Sequence, residues 1–153
     1  EFLILTASRT SEVLEARWDE IDLDAELWTV PASRMKAGRV HRVPLSARCI
    51  TILNEATAYR GTSPYLFHGR TEKRPMSNMV FSKIMKALKI LATPHGFRSS
   101  FRDWASEATS FPREVAEMAL AHTIENKVEA AYRRGDLLEK RREMMQAWSK
   151  YTT

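Results

Sequence analysis

The sequence predicts an α+β fold that is mainly helical, carrying a small antiparallel sheet made of one hairpin and a candidate third strand. Three observations lead there. Apolar residues recur at i, i+3, i+4 and i+7 in one segment after another. Two stretches of strand composition, Leu27 to Val30 and Val40 to Leu45, lie close together and are kept short by Pro31 and Pro44. At 153 residues, 44% apolar and 28% charged, the chain can bury one core of its own.

In chain order, residues 1–7 read as the end of a helix. Ser8 caps a second helix running to Arg17, with Val13, Leu14 and Trp18 inward, Arg9 in its first turn and Glu12 three residues on. The hairpin follows, with Gly38 supplying its turn, Arg34, Lys36 and Arg39 at its tip, and His41 and Arg42 on the return strand. Composition alone reads that tip as a charged loop that keeps an edge strand from pairing elsewhere. Ser46 starts a helix through Tyr59, with Ile50 and Leu53 inward. After a Gly/Pro loop, Tyr65-Leu66-Phe67 is the candidate third strand, and His68 to Pro75 a basic loop expected near a phosphate backbone. Ser77 caps a helix to about Leu91, burying Val80, Phe81, Ile84, Met85, Leu88 and Leu91 and leaving Lys83, Lys86 and Lys89 in solvent.

Thr93 and Pro94 read as the N-cap and first residue of the next helix. Phe97, Phe101, Trp104, Ala105 and Ala108 make its apolar stripe, with His95, Arg98 and Arg102 on one flank. Cations beside free N–H groups at a helix start suit an anion. Pro112 opens another helix with Val115, Met118, Ala119 and His122 on one face, so spacing alone makes His122 a hydrogen-bonded core histidine. Val128, Ala131 and Tyr132 repeat the pattern, which leaves Tyr132 readable as a core aromatic. Asp136 caps a last helix to about Lys150, with Leu137, Met144, Trp148 and Tyr151 on its stripe and Arg141 and Arg142 off it.

Lysine and arginine outnumber the acids 24 to 19, giving +5, which favours a polyanionic partner and equally fits a solvated basic surface. The single cysteine, Cys49, excludes an internal disulfide, suits a reducing cytoplasm, and between isoleucines reads as a buried thiol. No apolar run reaches the length of a membrane span and no signal peptide is visible, so a cytoplasmic location without a membrane partner is expected. The chain opens without Met inside Phe2-Leu3-Ile4-Leu5, as expected of a piece of a longer protein. His95 and His122 lie far apart, with no H-E-x-x-H or C-x-x-C nearby, so neither a metal nor another cofactor is expected.

Five motifs, each weak alone, occur in a telling order: T-A-S-R-T-S-E-V-L-E-A-R-W-D-E-I-D around Arg9 and Glu12, R-M-K-A-G-R-V-H-R-V-P-L-S around Lys36, H-G-F-R at His95 and Arg98, A-L-A-H at His122, and A-A-Y-R-R at Tyr132. Together they resemble the tyrosine recombinase family of phage-type integrases, nearest to those of prophages and genomic islands. The likeness covers nearly the whole chain. Ala7 and Ala121 stand where the family usually has glycine.

The resemblance implies a catalytic domain spanning residues 1–153, without the family's amino-terminal DNA-binding domains. Its implied reaction is site-specific DNA cleavage and rejoining through a 3′-phosphotyrosine, with Tyr132 as nucleophile. Arg9 and Arg98 would clamp the phosphate, because guanidinium forks bind its oxygens bidentately and hold their charge. His95 would act as general base, Lys36 as the acid for the leaving oxygen, His122 as a donor to phosphate, and Glu12 as the residue orienting the cluster. Arg34, Arg39, Arg42 and Arg102 would follow the DNA. The implied partners are duplex attachment sites, a homo-tetramer on DNA formed from monomers, and accessory DNA-bending or directionality proteins. A non-catalytic DNA-binding module and a type IB-like topoisomerase are the alternatives. The last helix packs on its own domain in the simpler expectation and on a neighbouring protomer in the other.

Overall fold

The computed structural model describes residues 1–122 and 135–153. The chain enters through α1 (Phe2–Leu5) and α2 (Thr10–Leu14), then forms β1 (Ile21–Asp22), β2 (Leu27–Val30) and β3 (His41–Pro44). Five helices follow: α3 (Ala47–Thr57), α4 (Val80–Ala87), α5 (Gly96–Glu107), α6 (Arg113–Ala119) and α7 (Leu138–Thr152). The architecture is therefore the expected one, mainly helical with a three-stranded antiparallel sheet in the order β1-β2-β3. No helix among the described residues is long and apolar enough to cross a membrane.

The hairpin forms where strand composition placed it, with Trp28 opposite Val43 and Thr29 opposite Arg42. Trp28, Val30 and Val43 are buried while Arg42 faces out, which is the two-residue alternation of a sheet with one dry face. The third strand is β1, not Tyr65-Leu66-Phe67. Tyr65 makes a lone bridge to Arg17, and the Leu66 N–H donates to the Ala16 carbonyl at 2.8 Å. That segment pairs with the chain just past α2, whereas β1 reaches β2 through a tight turn in which the Asp22 carboxylate accepts from Ala25 N–H at 2.8 Å.

Two apolar cores result. One gathers Phe2, Leu3, Leu5, Val13, Trp28, Val30, Leu45, Cys49 and Leu53 from α1, α2, the sheet and α3. The other gathers Phe101, Trp104, Val115, Leu120, Met144, Met145 and Trp148 from α5, α6 and α7, and includes Ala7. The chain around α1 belongs to both: Phe2, Leu3 and Leu5 enter the first, while Ile4 and Ala7 pack on the second.

Several helix ends differ from expectation; α7, for one, has left-handed Leu137 rather than Asp136 as its N-cap. The N-cap of α2 is Arg9 rather than Ser8, because Ala7 takes a left-handed turn (φ 48°) and the Ser8 hydroxyl donates back to Thr6 O at 3.3 Å. The helix α4 is shorter than the stretch from Ser77 to Leu91; left-handed Lys89 ends it, with Ile90 N–H donating to Met85 O at 2.9 Å. Of its expected buried face only Met85 is fully covered, and Ile84, Leu88 and Leu91 are exposed. The helix α5 begins at Gly96, and the Thr93 hydroxyl still accepts from Gly96 N–H at 3.1 Å.

The last helix packs on its own domain. Trp148 is buried, its ring edge-on to Phe101 at 5.3 Å and 5.1 Å from Trp104, and its indole N–H donates to Ile4 O at 2.8 Å. Arg141 lies inside this interface rather than off the stripe, 1% exposed, giving its charge to Asp136 at 2.7 Å and bonding the Arg42 carbonyl. Replacing Trp148 by Ala should cost roughly 3–5 kcal/mol of stability in chemical denaturation. A loss below about 1 kcal/mol would place the helix elsewhere in solution.

Candidate active site

Arg98 stands three residues before Phe101 on α5 and shares its buried face, so it points inward rather than along the helix flank. Only 6% of the residue is exposed. Its guanidinium donates to two carbonyls from different parts of the chain, Ala7 O in the α1–α2 turn and Leu120 O at 2.7 Å, just past α6. Each lies at a chain reversal built by an alanine with positive φ, Ala7 itself (48°) and Ala121 (50°). An L-residue there costs roughly 1–2 kcal/mol, which explains why glycine is the easier choice and marks both turns as strained.

Glu12 joins the cluster from α2. It is 2% exposed, accepts the Arg9 backbone N–H at 2.8 Å and pairs with the Arg9 guanidinium at 2.8 Å. Burial and then the nearby charge of Arg9 push the Arg98 pKa down to about 10 against the opposing charge of Glu12. Among the described residues no carboxylate lies within 4 Å of Arg98. Two guanidiniums thus lie near one buried carboxylate, which pairs with Arg9 alone, and the cluster carries an excess of positive charge.

His122 completes the group. Because α6 ends at Ala119 and Ala121 reverses the chain, His122 leaves the apolar helix face expected for it. Its Nε2 accepts from Arg98 at 3.4 Å, and its Nδ1 is 2.6 Å from the Glu117 carboxylate. Arg9, Glu12, Arg98 and His122 are therefore brought together. Lys36 at the hairpin tip and His95 at the N-cap of α5 are both exposed and make no polar contact with that group among the described residues. Tyr132 lies outside the described residues.

The four other arginines divide. Arg39 is exposed at the tip and has no ion pair among the described residues. Arg34 is turned inward instead: its guanidinium pairs with Glu20 and donates to the Glu12 carbonyl at 3.0 Å, so it ties the hairpin to the helix that carries Arg9. Arg42 forks onto Asp136 at 2.9 and 2.7 Å, and Arg102 pairs with Glu117 at 2.9 Å.

Sequence reading missed Glu117, Glu20 and His41. Glu117 is five residues before His122, a spacing that brings no two side chains together on a continuous helix; only the chain reversal at Ala121 makes them neighbours. His41 sits on β3 with Nε2 3.2 Å from Ala119 O, joining the sheet to α6. Burial, helped by the charge of Arg141, lowers its pKa to about 4.

The chain matches the model of the "Phage integrase family" over residues 1–137. It is 40% identical over 149 residues to the prophage integrase IntA of Escherichia coli strain K12, covering 95% of this chain and 36% of that protein. It is 34% identical over 166 residues to the integrase of Enterobacteria phage P4, covering 97% and 38%. Among solved structures, the XerA recombinase aligns with a TM-score of 0.67 at 17% identity, over 99% of this chain and 54% of that one. The Tn1549 transposon integrase in complex with transposon right end DNA aligns with a TM-score of 0.64 at 17% identity, over 94% and 56%. The chain thus spans well under half the length of these curated relatives and about half of these structures.

The His41 ring generates a pH prediction. Its folded pKa of about 4 lies below its free value of 6.5, so the unfolded chain binds the proton first and stability falls as pH drops from 6.5 toward 4. His41→Gln should remove up to about 2 kcal/mol of the loss measured by denaturation between about pH 7 and pH 5. An acid loss identical to the wild type would contradict a buried neutral imidazole.

Proposed function

This chain belongs to the phage integrase family, and from that premise we propose that it is the catalytic domain of a site-specific DNA recombinase working through a covalent phosphotyrosine. The observation that carries the proposal is the convergence of Arg9, Arg98 and His122 in one positively charged cluster, with Glu12 as the counter-charge beside Arg9. A phosphodiester at that cluster gains negative charge on its non-bridging oxygens as it becomes five-coordinate, and fixed donors there lower the barrier. The buried Arg98 has no carboxylate of its own among the described residues, so an incoming phosphate supplies the anion it lacks.

Tyr132 attacks phosphorus, forming the phenolic O–P bond while the bond to the 5′ oxygen breaks. The phenol proton passes to His95, and Lys36 delivers a proton to the departing 5′ oxygen. Rejoining reverses these steps with a new strand's 5′-hydroxyl, and the phosphotyrosine conserves the bond energy. His95 and Lys36 are both exposed, one at a helix start and one at a hairpin tip, which suits residues that complete the site when DNA arrives. The Tn1549 relative was captured with transposon-end DNA, which supports duplex DNA as the substrate. The docking of α7 in cis supports a monomer in isolation, with tetramers assembling on attachment sites in the cytoplasm.

The full-length protein with Tyr132→Phe should form no SDS-resistant adduct on nicked duplexes spanning the ends of the genomic element that carries its gene, while binding them as the wild type does. An undiminished adduct would reject Tyr132, and binding by the wild type without any adduct would favour a non-catalytic module. Lys36→Ala should slow adduct formation by about 10²–10⁴-fold. Because the side chain is exposed, stability should change by less than about 0.5 kcal/mol. A near wild-type rate would remove Lys36 from the mechanism.

A further inference from the structure

The cluster holds a residue outside the family-like motifs, and its geometry concerns the imidazole. Arg98 is a cation with N–H groups only, so where its Nη2 approaches His122 Nε2 at 3.4 Å, that nitrogen must present its lone pair. The hydrogen of a neutral ring then sits on Nδ1, and Nδ1 lies 2.6 Å from Glu117 Oε2. The partners on the two sides agree: a donor faces one ring nitrogen and an ionised acceptor the other.

Glu117 is itself held in place. It rises from the last turns of α6 with 16% of its side chain exposed, and its Oε1 accepts from Arg102 Nε on α5 at 2.9 Å while Arg113 lies 3.9 Å away. The carboxylate is therefore fixed from α5 by a charge-assisted bond before it meets the imidazole. His122 has no helix to hold it, since the chain reverses at Ala121, and 37% of its side chain is open to solvent. Without Glu117 its ring could turn about the Cβ–Cγ bond and exchange which nitrogen faces Arg98.

We propose that Glu117 is the positioning residue of this site, fixing the ring orientation and the Nδ1–H form of His122 so that Nε2 faces the Arg98 pocket, with Arg102 as the residue that holds Glu117. The inference rests on the functional reading above only for what the pocket binds; the orientation of the ring stands independently. Arg102 accordingly serves the interior of the site through Glu117.

The test is long-range proton–nitrogen NMR of the His122 ring at about pH 8, above the ordinary histidine value of about 6.5, where a free ring is neutral. Wild-type protein should show Nδ1 protonated. Glu117→Gln, which keeps a side-chain oxygen as acceptor, should keep that pattern, and Glu117→Ala should shift the ring toward the Nε2–H form that predominates in free imidazole side chains. Melting curves of both variants confirm that the fold persists, and Glu117→Gln carries the test if Glu117→Ala does not fold: its ring must then match the wild type. A wild-type ring with its lone pair on Nδ1, or an Ala variant with the wild-type pattern, would overturn the proposal. A failure of Tyr132 to trap DNA would leave these spectra unchanged, so the two readings fail separately.

Discussion

One buried guanidinium ties together the two chain reversals on which this site depends. Arg98 reaches from the second core to the α1–α2 turn on one side and to the end of α6 on the other, donating to a carbonyl at each. Neither carbonyl is charged, so the bonds fix where the cation sits without neutralising it. The two cores are joined elsewhere as well, where Arg141 bonds the Arg42 carbonyl and the His41 ring meets Ala119 O. The strain of left-handed alanines at both reversals is accepted by a structure in which each turn directs an acceptor toward Arg98.

Electrostatics then follow from position. A desolvated cation with a second guanidinium nearby is unfavourable, as the lowered pKa of Arg98 records. Glu12 offsets part of that cost and is already engaged by Arg9 through both its side chain and its backbone N–H. The pocket remains one anion short. A doubly coordinated phosphate oxygen pair fits that deficit better than a neutral ligand, which would leave both guanidiniums uncompensated. The network around the site works at a second remove: Arg34 links the hairpin to Glu12, and His41 links the sheet to α6.

Much of this was legible in the residues. Strand composition and prolines located the hairpin, and helical spacing located α3, α5 and the buried Trp148. The conjunction of Arg9, Glu12, Arg98 and His122 followed from ordered motifs rather than from periodicity. What escaped was everything decided by chain reversals. A periodic reading carries α6 straight through Ala121 and buries His122, whereas the positive φ there ends the helix and exposes the ring. The same blindness hid Glu117, whose spacing to His122 becomes meaningful only after the reversal. Charge pairing was not legible either: Arg34, Arg42 and Arg102 hold carboxylates within the protein, and nothing in composition distinguishes a solvated guanidinium from one holding a buried glutamate. The apolar residues of α4 erred in the opposite direction, since a helical stripe predicts burial only when a neighbour covers it.

The central claim is that Arg9, Arg98 and His122 form one anion pocket at the seam between the cores. Soaking crystals of the domain with tungstate, a tetrahedral dianion with strong anomalous scattering, tests it directly. The account predicts a tungsten peak beside His122 with oxygens in hydrogen-bond reach of both guanidiniums, lost in Arg98→Met crystals of the same form. Full occupancy elsewhere on the surface, with the seam empty, would contradict it.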